Sequence, residues 1–122
     1  MIEHISLPVS NFARAKEFYL AALEPLGYKL NMDYEGAAGF MEGGHTSFWI
    51  VEKPEIINIH VAFLAKNKDA VHMFYDAAMK AGATDHGAPG PRKEYSPDYY
   101  AAFVLDRDDH NIEAVCYGEA AA

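Results

Sequence analysis

At 122 residues, with 51% hydrophobic and 23% charged side chains, the chain has the size and balance of one soluble globular domain with a full core, and its composition argues against disorder. The formal net charge is −8, with 18 acidic groups against 10 basic, and only Arg92 and Lys93 sit side by side among the basic residues, so phosphate backbones and anionic membranes are excluded as expected partners. A single cysteine, Cys116, leaves no internal disulfide or Cys-pair metal site. No apolar run approaches the ~20 residues of a membrane span, and Met1-Ile2-Glu3-His4 lacks a basic segment leading into an apolar one, so a cytoplasmic, unprocessed protein is expected.

The first run, Met1 to Val9, alternates as a strand: Ile5, Leu7 and Val9 share one face and His4 and Ser6 the other, because strand side chains repeat every two residues. Ser10 or Asn11 can cap a helix whose stripe is Phe12, Ala15, Phe18, Tyr19, Ala22, Leu23 and Leu26, with Pro25 and Gly27 ending it. Three short strands follow, Tyr28 to Tyr34, Ala37 to Glu42 and Thr46 to Glu52, turning at Glu35-Gly36 and Gly43-Gly44. The order is βαβββ.

Ile57 to Ala65 then begins the same order again. His60 lies 56 positions after His4, and the same step relates Phe74-Tyr75 to Phe18-Tyr19, Ala77-Ala78 to Ala21-Ala22 and Met79 to Leu23. A register held over so many positions reads as an internal duplication. Lys53-Pro54-Glu55 is too short to separate independent domains, so module one (about 1–52) and module two (about 56–117) belong to a single domain, 1–122. In module two Asn67 or Asp69 caps a helix with Val71, Phe74, Tyr75, Ala78 and Met79 on one stripe, stopped by Gly82. Ala83 to Gly87 closes into a long loop, Ala88 to Asp98, then a strand Tyr99 to Leu105, an acidic turn Asp106 to His110, a last strand Asn111 to Tyr117 and a frayed tail, Gly118 to Ala122.

Aligning the last strands of the two modules lays Glu113 over Trp49. Glu113 shares a strand face with Val115 and Tyr117, and a carboxylate in so apolar a strand is costly unless a positive or donor group meets it. His4, His60 and Glu113 thus converge on one side of a shared sheet. Two imidazoles and a carboxylate from three strands suit Fe(II) and accept Mn, Ni or Zn, with positions left open for substrate. The alternative for each histidine is a hydrogen-bonded sheet residue.

These residues carry a resemblance. His4-Ile5-Ser6-Leu7 before a helix with Phe18-Tyr19, Leu26-Gly27 after it, His60-Val61-Ala62-Phe63, Gly87-Ala88-Pro89-Gly90-Pro91-Arg92 and Ile112-Glu113-Ala114-Val115 resemble the vicinal oxygen chelate superfamily, which includes glyoxalase I, fosfomycin-resistance enzymes, bleomycin-resistance proteins and extradiol dioxygenases. The resemblance implies an α+β fold in which two tandem βαβββ modules form a cupped mixed β-sheet with helices on the outer face. It also implies one divalent metal held by His4, His60 and Glu113, and a homodimer whose modules pair within a chain or across it. Trp49 stands where glyoxalase I has a fourth ligand, which moves the expectation toward the dioxygenase and thiol-transferase branches. The turn from Asp106 to Asn111 replaces the Asp-Pro-Asp-Gly-Asn common in the family.

The functional expectation is a metal-dependent dioxygenase, lyase or thiol transferase that chelates adjacent oxygens of a small substrate and stabilises the enolate or oxyanion formed. Trp49, Phe40 and Tyr100 are expected to wall the pocket, Arg92 to hold an anionic end by its planar fork, and Tyr95 to lie beside it on the long loop. The alternative for Arg92 is a surface ion pair with Glu94 or Asp98. No catalytic acid or base is assigned. His45, His72, His86 and His110 fall in turns, loops or an outer helix face and are expected to be solvated, with His86 a reserve base or ligand. The competing function is a metal-free binding protein of the bleomycin-resistance type that sequesters a planar or cationic compound in the same cup.

Overall fold

A computed structural model describes residues 1–118. Its elements run β1 (Ile5–Val9), α1 (Phe12–Leu23), β2 (Lys29–Tyr34), β3 (Ala37–Glu42), β4 (His45–Glu52), β5 (His60–Leu64), α2 (Lys68–Lys80), β6 (Thr84–Pro91), β7 (Tyr99–Leu105) and β8 (Asn111–Tyr117). The strands form two four-stranded sheets, ordered β1-β4-β3-β2 and β5-β8-β7-β6, with β1 parallel to β4 and β5 parallel to β8. The duplication read from the 56-residue step is therefore a duplication of topology, two βαβββ modules of an α+β fold. Among the described residues no helix is long and apolar enough to cross a membrane.

Local chemistry sets the boundaries. The Asn11 side chain accepts from the Arg14 backbone amide and that of Asn67 from Ala70, satisfying first-turn donors in both helices. Pro25 sits in a 3-10 turn, Glu24–Leu26, closed by Gly27 at φ 92°, a left-handed value that glycine adopts without a Cβ clash. The second turn has φ 64° at Gly43 and 82° at Gly44, the two positive values of a type I′ hairpin, and so starts β4 at His45.

Two expectations shift. β6 continues through Pro91 where the Gly- and Pro-rich composition suggested a loop from Ala88, because Gly90 and Pro91 still pair with Ala101 and Tyr100 across bulges that absorb the irregular residues. The first strand begins at Ile5, leaving His4 just before it. The tail expected to fray lies largely in residues 119–122, outside the described residues.

Residues of both modules share one core. Phe18, Tyr19, Ala22 and Leu23 of α1 and Ala70, Val71, Phe74 and Ala78 of α2 join Leu7, Val9, Phe48 and Ile50 of the first sheet and Ile112, Ala114 and Cys116 of the second. The Phe48 and Phe63 rings meet edge to face across the modules at 5.1 Å. Full burial of a ring such as Phe74 is worth roughly 1.5–3 kcal/mol. The face of the second sheet away from this core carries Ala101, Phe103 and Val115 with Tyr99 against them. It also leaves Leu64 and Tyr117 exposed.

The acidic turn ties the modules together. Asp106 is buried, and its carboxylate accepts the Tyr19 hydroxyl of α1 at 2.5 Å and the backbone amides of Asp108 and His110 at 2.9 Å. Asp108 accepts from Ser10, and its carbonyl accepts from Asn58. His110 corrects the expectation of a solvated side chain. It is fully buried, its Nδ1 accepting the Ile59 amide at 3.1 Å and its Nε2 donating to the Pro8 carbonyl at 2.8 Å. Those partners fix the neutral Nε2–H tautomer.

Candidate metal centre

Glu113 lies in the middle of β8, 1% exposed, on the face away from the helices. The β7–β8 register pairs Phe103 with Glu113 and Tyr99 with Tyr117, so Tyr99, Ala101 and Phe103 share the face of Glu113. The parallel register places Ala62 beside Glu113, which puts His60 on that face one step along. An unpaired carboxylate here would cost several kcal/mol, on the order of a buried ion after relaxation. Its two oxygens are both engaged: Oε1 lies 2.7 Å from His60 Nε2 and Oε2 accepts the Tyr99 hydroxyl. Burial and the bond to Glu113 push the Tyr99 phenol well above its usual range.

An aromatic fence surrounds this pair. Tyr95 and Tyr117 stand edge-on to Tyr99 at 5.1 and 5.4 Å, and the Phe103 ring is 6.2 Å from His60. The Arg92 guanidinium lies 5.3 Å above Phe103 and donates to the carbonyls of Ala88, Gly90 and Pro91. Backbone carbonyls thus occupy the place that an ion pair with Glu94 or Asp98 would have filled.

The first module presents its own group. Glu3 Oε1 accepts from His4 Nδ1, and Glu3 Oε2 lies 2.9 Å from His45 Nε2. With Gly44, Thr46 and Trp49 these residues line an open concavity. The hydrogen bond from His4 holds the Glu3 carboxyl below its usual range, and the charge of His45 acts in the same direction. Trp49 is half-buried and stacks parallel to Tyr34, with centroids 6.4 Å apart and planes 3° from parallel.

The structure separates other residues from these faces. Phe40 does not wall a pocket with Trp49: Gly39 is the residue opposite Trp49, and Phe40, 1% exposed, packs on Phe48 in the core. Tyr100 likewise turns toward α2, where its hydroxyl meets His72 Nε2 at 2.7 Å. Its neighbour Tyr99 takes the place expected of it. His86 is exposed in β6.

The donor chemistry of His60 and Glu113, an imidazole nitrogen and a buried carboxylate oxygen aimed at one point, fits a divalent ion. His4 does not join them within one chain. Among the described residues, the three His, Asp or Glu side chains with ligand atoms within 4.8 Å of one another are Asp106, Asp108 and His110. Their ligand atoms are already engaged in hydrogen bonds, some within the turn and its own module and some to the other module.

The model of the glyoxalase/bleomycin resistance protein/dioxygenase superfamily matches residues 1–114. Among functionally curated proteins none matches the sequence. The fold is similar to that of a glyoxalase/bleomycin resistance protein from Albidiferax ferrireducens T118, with 22% identity over 93% of this chain and 97% of that one and a TM-score of 0.83. It is also similar to a family enzyme from Burkholderia phytofirmans PsJN, at 16% identity over 95% and 98% with a TM-score of 0.74. The fosfomycin resistance protein FosX from Mesorhizobium loti matches at 17% identity over 95% and 91% with a TM-score of 0.68. The family match over nearly the whole chain, together with the duplicated topology, establishes that this chain belongs to the glyoxalase/bleomycin resistance protein/dioxygenase superfamily.

Proposed function

We propose that the chain is a metal-dependent enzyme of the glyoxalase/extradiol dioxygenase type acting on a small, oxygen-rich substrate. The observation that carries this reading is the buried Glu113 carboxylate meeting His60 Nε2 at 2.7 Å on an aromatic-lined face. His60 and Glu113 supply two ligands and His4 the third. Because His4 bonds to Glu3, which in turn meets His45, within its own chain, we assign the third ligand to a second copy and the site to a homodimer. The exposed apolar side chains Leu64 and Tyr117 on one sheet, and Met32 and Tyr34 on the other, give such a dimer surface to bury.

When bound, the ion supplies Lewis-acid chemistry toward adjacent substrate oxygens. Tyr99 orients the carboxylate by holding its second oxygen. Trp49, Phe103 and Tyr95 exclude water around the substrate. Arg92 spends three N–H contacts on carbonyls and orients the anionic end with the remaining donors of its fork. The ion is Fe, Mn, Ni or Zn.

A complementation experiment tests the shared site. His4→Ala and Glu113→Ala chains, each expected to lose metal, are unfolded together and refolded. Mixed dimers then contain one site with all its ligands, and metal binding returns; no recovery in verified mixed dimers contradicts a site shared between copies.

The parallel Tyr34–Trp49 pair beside Glu3 favours a second reading, sequestration of a planar cationic compound without metal. Tight binding of such a compound by metal-depleted protein, with no stoichiometric metal in protein purified without chelators, would select it.

A further inference from the structure

We propose that Glu3 and His45 are positioning residues for His4, fixing its imidazole with Nδ1 bonded to carboxylate and Nε2 presented to the metal; this rests on the metal-dependent reading above. The roles follow from donor and acceptor chemistry. An ionised carboxylate only accepts hydrogen bonds, so the contact between Glu3 Oε1 and His4 Nδ1 places the proton on His4 Nδ1. The neutral ring then keeps Nε2 free of hydrogen, as a metal ligand requires. His45 Nε2 lies 3.0 Å from the Glu3 carbonyl and 2.9 Å from Glu3 Oε2. Both are acceptors, so His45 Nε2 carries a proton and clamps the backbone and side chain of Glu3 together.

The arrangement comes from the sequence around the hairpin. The Gly43-Gly44 turn starts β4 at His45. Parallel pairing of Ile5 with Phe48 then brings the residues before β1 alongside the start of β4. The second module differs. His60 meets its carboxylate, Glu113, through Nε2 instead, and by the same donor rule that nitrogen carries a proton which an arriving ion would replace. A carboxylate on the far nitrogen of a ligating histidine fixes its tautomer and raises its basicity, and losing it typically weakens metal binding ~10–100-fold. Glu3 is largely exposed, at 65% of its side chain, which points to the lower end of that range.

Nitrogen-15 NMR of the histidine rings in the metal-free full chain, at a pH where they are neutral, reads the tautomer directly, with the His4 signal assigned by its loss in His4→Asn. The wild type is expected to show His4 as Nδ1–H, the form disfavoured in free histidine. Glu3→Ala should shift it toward Nε2–H and weaken zinc binding about tenfold, and His45→Ala should shift both in the same direction by less. Thermal midpoints should stay at the wild-type value. An Nε2–H ring in the wild type, or Glu3→Ala with wild-type zinc affinity, overturns the proposal. Failure of the wild type to bind any metal would count against the metal-dependent reading instead, while the tautomer still decides whether Glu3 positions His4.

Discussion

His60 Nε2 lies 2.7 Å from one oxygen of Glu113, and the Tyr99 hydroxyl donates to the other. This relationship makes a buried carboxylate tolerable in an apolar strand, and under the proposed function Tyr99 is the residue whose loss should be felt both in the fold and in metal binding. Tyr99→Phe leaves one Glu113 oxygen without its donor, at a cost of about 1–3 kcal/mol in stability. Metal affinity should fall about tenfold through lost orientation. Urea unfolding and metal competition measure the two effects, and Tyr100→Phe, on the opposite face, should leave metal affinity at the wild-type value.

Tyr19 and Asp106 join α1 to the turn of the other module at 2.5 Å. Burial, then the charge of Asp106 and its hydrogen bond, raise the Tyr19 phenol well above its usual value. A raised folded-state value means the stabilisation is complete below the unfolded value of about 10 and is lost as pH rises above it. Tyr19→Phe should cost about 1–3 kcal/mol at neutral pH and show a shallower alkaline decline, so its deficit narrows between about pH 10 and 11.5. A deficit constant over that range would contradict the assignment.

A Cβ at Gly39 would stand 2.8 Å from Thr46 Cγ2 and 3.0 Å from two indole carbons of Trp49. Gly39→Ala therefore displaces the single tryptophan from its stack on Tyr34. The fluorescence of the variant should differ from the wild type in wavelength or intensity. An unchanged spectrum would mean that Trp49 does not occupy the position described.

Much of this architecture is legible in the residues because a duplication repeats the signal. The helix stripes, the turns at Gly36 and Gly43-Gly44 and the strand Asn111 to Tyr117 all follow from periodicity and turn chemistry. Errors arise where face depends on register between strands. Phe40 reads as a companion of Trp49 until the pairing of Gly39 with Trp49 assigns it to the other face. Tyr99 and Tyr100 are adjacent phenols whose roles separate only once Phe103 is known to lie opposite Glu113. His110 looks solvated in an acidic turn, yet bonds to Ile59 and Pro8, remote in sequence, bury it. Glu3 carries no sequence signal and His45 reads as a solvated turn residue for the same reason: they lie 42 residues apart and match no motif.

His60 and Glu113 are proposed to hold a divalent ion. Metal quantification on protein purified without chelators tests this most directly, comparing the wild type with His60→Ala after thermal unfolding has verified that both are folded. One equivalent of a divalent metal per chain in the wild type and none in the variant is the predicted result. A folded His60→Ala protein that still retains one equivalent would contradict it.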